Sequence, residues 1–233
     1  DVCSSDLDDR YVFFWNNRNA RRKQSGSVVW WFAEFLKKVG KDKATLIMHT
    51  DPKDINGPDL EAIVAELELN NGQVMFSVNK LPDQDMAAMY NIVDCTINIS
   101  DAEGFGLATL ESLACGTPII VNMTGGLQEQ VTDGKDVFGV MIEPAAQYVI
   151  GSQEVPYIYE DRISKEDFID ALVKLYNMTK EERALLGQKG RQHLLDNYNP
   201  AVLLPKWDQI IQDAIADGVW ENRKYDRWVL KTV

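Results

Sequence analysis

The chain has 233 residues, of which 45% are hydrophobic and 26% are charged. This mixture is typical of a globular protein and argues against a disordered or fibrous chain, and the length allows one large domain or two small ones. Lys and Arg total 24 against 36 Asp and Glu, which gives a net charge of −12. An acidic chain repels phosphate backbones and anionic membrane surfaces at long range, so we expect neither nucleic acid nor a lipid surface as a partner.

The cysteines and the N-terminal sequence indicate the cellular compartment in which the protein is expected. Cys3, Cys95 and Cys115 are odd in number and far apart, which predicts a reducing compartment without a disulfide or zinc framework. No apolar run approaches the roughly 18 residues of a membrane span, and no basic segment precedes an apolar stretch as in a secretory signal. We therefore expect a cytoplasmic protein without a transmembrane segment. Residues 1–10 carry four Asp and no apolar period, which predicts a disordered or non-native tail.

From Tyr11 onward, β-rich runs alternate with segments of helical periodicity. The predicted strands are residues 11–15, 44–49, 73–78, 96–99, 118–122 and 139–142. The helices predicted between them are residues 27–39, 60–69, 83–92, 106–115 and 127–132, with Asp83 as a helix N-cap. Three further helices are predicted at residues 165–177, 180–197 and 201–216. The alternation predicts an α/β fold with a doubly wound parallel sheet, followed by a helical C-terminal tail.

A basic cluster follows the first predicted strand. Residues 16–25 contain Arg18, Arg21, Arg22 and Lys23 and no acidic residue, although the chain as a whole is acidic. Ligands of doubly wound sheets bind beyond the carboxyl ends of the strands, and such a cluster suits a ligand that carries phosphate. The alternative is a solvated basic turn without a ligand.

A second candidate segment follows the fourth predicted strand. Gly104 and Gly106 lie between this strand and the next helix, where backbone N–H groups at the helix start can meet an anion. Glu103 precedes the helix, and Glu111 lies about one turn inside it. Two acids on either side of a phosphate-binding turn suit a nucleotide-sugar, with one carboxylate at the ribose and the other at the sugar. The alternatives are a helix-dipole partner for Glu103 and a surface position for Glu111.

Other motifs of phosphate, metal or nucleophilic chemistry are incomplete. The glycine pair of this segment lacks the third glycine of a dinucleotide fingerprint. Gly134 and Lys135 are followed by Asp136 rather than Ser or Thr, so they do not form a phosphate-binding Walker loop. His49 and His193 stand in positions that favour structural roles, and no cluster has metal-ligand spacing. We therefore expect no metal site.

Several segments, in order, resemble the retaining GT-B glycosyltransferases of glycosyltransferase family 4. EGFGLATLE, from Glu103 to Glu111, resembles the family's E-x7-E motif, and NRNARRK resembles its Arg-x4-Lys diphosphate loop at Arg18 and Lys23. LIMHTDP resembles its second strand, and DQDMAAMYNIVDCTINIS the helix and strand before the Glu motif. ACGTPIIVNMTGGLQEQV resembles the following strand and GG-x-x-E turn. Five such segments in the family's order over residues 11–134 make the resemblance specific.

The resemblance implies the C-terminal half of a GT-B fold, a Rossmann-like domain that binds a nucleotide-diphosphate sugar. Arg18 and Lys23 would neutralise the leaving nucleoside diphosphate, so neither a metal nor another cofactor would be required. Glu103 would be the third catalytic residue and would hold the hydroxyls of the donor sugar. The implied donor-binding residues are Gly104, Phe105, Gly106 and Leu107 at the sugar-phosphate turn, Glu111 at the ribose, and Val78, Asn79, Lys80 and Leu81 at the base.

The implied reaction is transfer of a hexose to an acceptor with retention of configuration. We expect residues 11–205 to form the donor-binding domain, and residues 206–233 a helical tail that crosses back to an N-terminal Rossmann-like domain missing from this chain. The family's acceptor site lies mostly in that domain, so we expect the fragment alone to be inactive. The base, the sugar and the acceptor, whether glycan, lipid or small molecule, stay open. Residues 145–162 match no element of the family.

Three alternatives to a glycosyltransferase stay open at this point. The first is a noncatalytic module that binds a nucleotide-sugar. The second is another GT-B enzyme, such as a nucleotide-sugar epimerase or a phosphorylase, the latter of which would need a lysine-bound pyridoxal group. The third is a flavodoxin-like response domain, which is disfavoured because no acidic phosphorylation pocket is evident.

Overall fold

The computed structural model describes residues 10–217. Most of the predicted N-terminal tail, and residues 218–233 of the predicted C-terminal tail, lie outside the described residues. Contacts divide the chain into two units, Asp1–Leu194 and Leu195–Val233. Within the described part of the chain, no helix has the length and apolar composition that crossing a membrane requires.

The first unit is built on a six-stranded parallel sheet with the spatial order β3-β2-β1-β4-β5-β6. The strands are β1 (Tyr11–Asn16), β2 (Ala44–His49), β3 (Val74–Ser77), β4 (Cys95–Asn98), β5 (Ile119–Asn122) and β6 (Val140–Ile142). Phe13 of β1 lies between Leu46 of β2 and Cys95 of β4 in the register. The strand order therefore reverses between β1 and β4, which is the point where doubly wound sheets bind ligands.

The helices alternate with these strands and continue after them. They are α1 (Ser25–Val39), α2 (Leu60–Glu66), α3 (Asp83–Ile92), α4 (Leu107–Cys115), α5 (Leu127–Val131), α6 (Lys165–Asn177), α7 (Lys180–Asn197) and α8 (Pro200–Ala216). A 3-10 turn, Arg21–Lys23, precedes α1. The predicted Rossmann-like doubly wound sheet and helical C-terminal region are thereby confirmed. The predicted boundary between residues 205 and 206 falls inside α8, no described residue of which is buried.

Two details of the predicted helices are wrong. Asp83 is not the N-cap of α3. Pro82 takes that position, and Asp83 is the first helical residue, where an acidic side chain is favoured by the helix dipole. The second predicted helix ends at Glu66 rather than at residue 69. Glu68 adopts a left-handed conformation with φ of 53°, which ends the helix.

Alternate residues of β1 pack into two different clusters, because successive side chains of a strand point to opposite faces. Phe13 is fully buried and its ring lies 5.9 Å from Phe32 and 5.5 Å from Phe35, both of α1. On the opposite face, the Phe14 ring lies 5.3 Å from Tyr90 of α3. Helices therefore cover both faces of the central strand, which leaves its carboxyl end as the route to solvent.

Residues 145–162, which the sequence left without a predicted structure, form a β-hairpin. Its antiparallel strands are β7 (Ala146–Ile150) and β8 (Ile158–Arg162), with Tyr148 directly opposite Glu160. Residues 151–159 are exposed, whereas Glu160 is buried. The hairpin is thus attached to the domain through the end of β8.

Candidate active site

The loop after β1 and the loop after β4 meet at the switch point of the sheet. Lys23, at the end of the 3-10 turn, is buried, and its ammonium forms an ion pair with the carboxylate of Glu103. Nη1 of Arg22 lies 3.6 Å from the same carboxylate and donates to the carbonyl of Ala102 at 2.6 Å. The sequence-predicted residues Lys23 and Glu103 are therefore brought together, with Arg22 beside them.

The surroundings of Lys23 act on its proton affinity in opposite directions. Burial lowers the pKa of its ammonium, and the hydrogen bond and charge of Glu103 raise it, with burial the larger effect. A buried cation keeps its charge only when an anion compensates it. The pair with Glu103 supplies that compensation, and an incoming phosphate is the kind of group that could replace it.

Arg18 lies in a different ion pair. Its guanidinium donates to Asp54 through Nε at 2.6 Å and Nη2 at 3.2 Å, and its side chain is 66% exposed. The hydrogen bond from Arg18 holds the pKa of Asp54 well below its usual range. Arg18 is therefore paired with the loop after β2. Among the described residues, it forms no ion pair with Glu103, which is paired with Lys23 instead.

The turn that leads into α4 is held by a pair of glycines from the next loop. Gly106 caps α4 with φ of 83°, and as a glycine it has no side chain to accept from the N-terminal amides. The amide of Gly126 donates to the carbonyl of Glu103 at 3.1 Å. A Cβ at Gly125 would overlap that same carbonyl oxygen, and one at Gly126 would lie 2.5 Å from the carbonyl of Gly104. The GG turn thus fixes the backbone of the Glu103 loop by close approach.

The same turn contains residues whose backbone amides are predicted to line the donor, and it is largely exposed. Phe105 is 49% exposed and Leu107 is 67% exposed, while Gly106 is buried. Gln130 of α5 donates through Nε2 to the carbonyl of Phe105. The turn is therefore exposed to solvent on one side, and a hydrogen bond from α5 holds its backbone.

Glu111 lies on α4 beside the end of β1. Its carboxylate accepts hydrogen bonds from the Tyr90 hydroxyl at 2.8 Å and from Nδ2 of Asn16 at 3.3 Å, and its side chain is exposed. Val78, Asn79, Lys80 and Leu81 follow β3, two strands from β1, and are mostly exposed. The predicted ribose carboxylate therefore borders the switch point, whereas the predicted base segment lies at the far edge of the sheet.

Three charged residues at this site were missed by sequence reasoning. Glu160 accepts two hydrogen bonds from Arg21, at 2.7 and 2.6 Å. Arg162 donates to the buried carboxylate of Asp101 at 2.7 Å, and Gln24 donates to the same oxygen. Burial raises the pKa of Asp101, against the hydrogen bonds of these two donors.

One sequence signal could have found this part of the site. Residues 148–150 and 157–159 are aromatic or β-branched and flank Gly151 and Ser152, a pattern that indicates a β-hairpin. The residues that the hairpin contacts could not be predicted in this way, because Arg21 and Glu160 stand 139 positions apart in the sequence. Only the folded chain shows that they meet.

The two histidines lie in structural contacts. Nδ1 of His49 lies 2.9 Å from the Ser77 hydroxyl, and burial lowers its pKa. His193 stacks on Phe138 and its Nε2 lies 3.0 Å from the carbonyl of Glu129. Within residues 10–217, no three His, Cys, Asp or Glu side chains are grouped to hold a metal ion.

Comparisons with known proteins agree with this architecture. The family model described as glycosyl transferases group 1 matches residues 39–171. A curated relative, D-inositol 3-phosphate glycosyltransferase of Streptosporangium roseum, is 39% identical over 84 residues, which are 36% of this chain and 18% of that protein. Among solved structures, sucrose-phosphate synthase from Thermosynechococcus elongatus superposes with a TM-score of 0.70 at 22% identity. The superposition covers 90% of this chain and 47% of the synthase chain.

A further solved structure is a complex. HepE from Anabaena, in complex with UDP and glucose, superposes with a TM-score of 0.68 at 15% identity, covering 91% of this chain and 53% of its own. At these identities the two structures establish the fold alone. This chain thus spans about half the length of the solved structures and a smaller share of the curated relative that it matches.

Proposed function

This chain belongs to the glycosyl transferases group 1 family, and on that basis we propose that it is the donor-binding half of a glycosyltransferase. The donor is a nucleotide-diphosphate sugar, and the hexose passes to an acceptor with retention of configuration and without a metal ion. HepE, whose structure contains UDP and glucose, supports this class of donor through its shared fold.

The observation that carries the proposal is the Lys23–Glu103 ion pair at the switch point. Lys23 follows β1 and Glu103 follows β4, the two strands between which the strand order reverses. A cation suits a diphosphate, and a carboxylate suits the hydroxyls of a sugar. The pair thus offers complementary groups to the two halves of a sugar diphosphate at the place where this fold binds ligands.

The proposed chemistry follows from these groups. Cleavage of the bond between the sugar and the diphosphate develops negative charge on the leaving oxygens, which fixed cations and oriented amides stabilise. Lys23 supplies the cation, and the N-terminus of α4 supplies the amides, because its N-cap residue is a glycine without a side chain. On donor binding, the ammonium of Lys23 passes from Glu103 to phosphate, and the freed carboxylate of Glu103 accepts from the sugar hydroxyls.

The remaining assignments complete the donor site. Arg18 reaches the distal phosphate by exchanging its exposed pair with Asp54, and the amides of Phe105, Gly106 and Leu107 line the sugar-phosphate turn. Glu111 binds the ribose beside Asn16, and the segment from Val78 to Leu81 borders the base. The acceptor hydroxyl then attacks the anomeric carbon from the face that the diphosphate leaves, and its proton passes to an oxygen of the leaving phosphate. Attack on this face accounts for retention without a protein nucleophile.

Calorimetric titration with UDP, GDP and ADP tests this function. We expect at least one of the three to bind, with the same affinity in the presence and absence of EDTA. Absence of binding by all three, or binding that requires Mg²⁺, would contradict the proposal. The same titration of Lys23→Ala tests whether binding depends on the proposed cation. Lys37→Ala is its matched control, because Lys37 lies on α1 with its side chain 71% exposed and pairs only with Glu34 among the described ion pairs.

The complete reaction needs an acceptor site as well. Holding two reactants together can supply several kcal/mol of a barrier, and the residues assigned above hold only the donor. We therefore expect this chain by itself to transfer no sugar at a useful rate in an assay with radiolabelled donor. Donor binding together with robust transfer by this chain would show that it also holds the acceptor.

A further inference from the structure

Glu160 is a buried carboxylate that the donor-site assignments leave without a role. It is the third residue of β8, and its side chain is 4% exposed. Both of its oxygens accept from Arg21, at 2.7 and 2.6 Å, and this bond lowers the pKa of the carboxyl. A two-pronged guanidinium–carboxylate pair fixes orientation as well as distance, because both groups are planar.

The backbone next to Glu160 connects two further loops at the carboxyl edge of the sheet. The amide of Asp161 donates to the carbonyl of Asp101 at 2.7 Å, and the amide of Asp101 donates to the carbonyl of Arg22 at 2.8 Å. Nδ2 of Asn122 donates to the carbonyl of Asp161 at 2.7 Å. The end of β8 is therefore bonded to the loop that follows β4 and to the last residue of β5, and through Asp101 to the 3-10 turn that follows β1.

Side chains reinforce the same connection. Arg162 donates to Asp101 at 2.7 Å, and Gln24, which separates the 3-10 turn from α1, donates to the same carboxylate. Thr124 donates to the carboxylate of Asp161 at 2.7 Å. Each of the residues 160–162 thus bonds to a loop of the site and not only to its own hairpin.

The geometry of the 3-10 turn links the Arg21–Glu160 pair to the orientation of the Lys23 side chain. A 3-10 helix has about three residues per turn, so side chains one position apart point about 120° from each other. Arg21 bonds to Glu160 of the hairpin, while Lys23, two positions further along the turn, bonds to Glu103 of the loop after β4. Fixing the guanidinium of Arg21 therefore fixes the rotation of the turn and with it the placement of the buried ammonium of Lys23.

We infer that Glu160, acting through Arg21, is a positioning residue that holds the 3-10 turn so that Lys23 meets the donor diphosphate. The inference rests on the proposed function in one respect, the identity of the ligand that Lys23 meets. The β7–β8 hairpin is then part of the donor site's framework, although it contributes no group to the donor itself.

The test compares Glu160→Gln with Glu154→Gln, which removes the same charge from an exposed position of the same hairpin. The first readout needs no ligand: the rate of reductive methylation of Lys23, measured by peptide mass spectrometry. We expect Glu160→Gln to raise this rate several-fold and Glu154→Gln to leave it unchanged. The second readout is the affinity for UDP, GDP or ADP, which Glu160→Gln should weaken roughly tenfold.

A double-mutant cycle separates positioning from general structural damage. If Glu160 acts through Arg21, Glu160→Gln should have no further effect on labelling or affinity in the Arg21→Ala background. Should Glu160→Gln fail to fold, by circular dichroism and thermal unfolding, Arg21→Lys takes its place, because it keeps the charge and loses the two-pronged geometry.

The outcomes distinguish this inference from the proposed function. Unchanged labelling of Lys23 and unchanged affinity in a folded Glu160→Gln or Arg21→Lys variant would overturn the inference and leave the proposed function intact. Faster labelling together with no nucleoside diphosphate binding by the unmodified chain would support the positioning of Lys23 and overturn the proposed function. Equal effects of Glu160→Gln with and without Arg21 would also overturn the inference.

Discussion

Lys23 and Arg18 differ in burial although both belong to the predicted diphosphate loop. We expect Lys23→Ala and Arg18→Ala each to weaken nucleoside diphosphate binding by about 1.5–3 kcal/mol, the range for hydrogen bonds to charged groups. Lys23 should lie at the upper end because its side chain is 9% exposed, and Arg18 at the lower end because its side chain is 66% exposed. Calorimetric titration of the variants measures both effects.

Lys37→Ala provides the control for these two variants, since it removes one positive charge from an exposed position on α1. An equal loss of affinity in Lys37→Ala would show that total charge decides binding rather than the loop after β1. That result would contradict the assignment of Lys23 and Arg18.

The lowered pKa of Lys23 predicts a pH dependence of binding. Its ammonium loses its proton at a lower pH than an ordinary lysine, whose pKa is about 10.4. As the pH rises through that lowered value, the positive charge disappears and the affinity for the diphosphate falls. Titrations between about pH 7 and pH 10 should show this fall in the unmodified chain and not in Lys23→Arg, which stays charged. The same fall in both proteins would assign it to another group.

Among the structural elements, the GG turn before α5 offers a test of how the Glu103 loop is held. Gly125 has φ of 49°, and a Cβ there would overlap the carbonyl oxygen of Glu103. We expect Gly125→Ala to lower the free energy of unfolding by about 1–3 kcal/mol and to weaken diphosphate binding, because the Glu103 loop must move.

Gly134→Ala is the matched control for this variant. Gly134 has φ of 86° and nothing within 4 Å of an added Cβ, so its substitution brings the backbone strain without the contact. Denaturant unfolding and calorimetry of both variants separate the two effects. Equal losses of diphosphate affinity in Gly125→Ala and Gly134→Ala would contradict a role for the close approach to Glu103.

Helix α7 packs closely on the end of α4 through a glycine. A Cβ at Gly187 would overlap the carbonyl oxygen of Gly116, the C-cap of α4. Helix propensity alone favours Ala over Gly by about 1 kcal/mol, but overpacking costs about 1–3 kcal/mol. We therefore expect Gly187→Ala to lower the melting temperature. Gln188→Ala, one position along on the exposed face, should leave it nearly unchanged, and stabilisation by Gly187→Ala would contradict this packing.

Most elements of the fold could be predicted from the sequence because their periodicity is local. Residues 44–49, 165–177 and 180–197 have the predicted bounds, and the parallel sheet follows from the alternation of strands and helices. The hairpin β7–β8 was not predicted because it corresponds to no element of the family that the rest of the chain resembles. The N-cap of α3 was missed because Pro82 and Asp83 are both compatible with a helix start.

The site could be predicted only in part, for a physical reason. The sequence predicts that Lys23 follows the first strand and Glu103 the fourth. The structure makes these two strands neighbours and joins the two side chains in one ion pair. The partners of the other charged residues come from remote segments: Asp54 for Arg18 and Glu160 for Arg21. Such pairs depend on side-chain packing across loops, which periodicity and spacing do not encode.

For the whole molecule, the net charge of −12 acts against an anionic ligand. This repulsion is screened beyond about 8 Å at physiological ionic strength, so we expect short-range contacts at the carboxyl edge of the sheet to decide binding. Two cations there are compensated by carboxylates of this chain, Lys23 by Glu103 and Arg21 by Glu160. We therefore expect a diphosphate that binds to replace the carboxylate partner of Lys23 rather than to add to an uncompensated positive patch.

The most direct test of that exchange is a crystal structure with whichever of UDP, GDP or ADP binds most tightly in calorimetry. We predict that the diphosphate lies between the 3-10 turn Arg21–Lys23 and the N-terminus of α4, with Nζ of Lys23 on a phosphate oxygen and its pair with Glu103 opened. A nucleotide bound elsewhere on the chain, or bound there with the Lys23–Glu103 pair intact, would contradict the account.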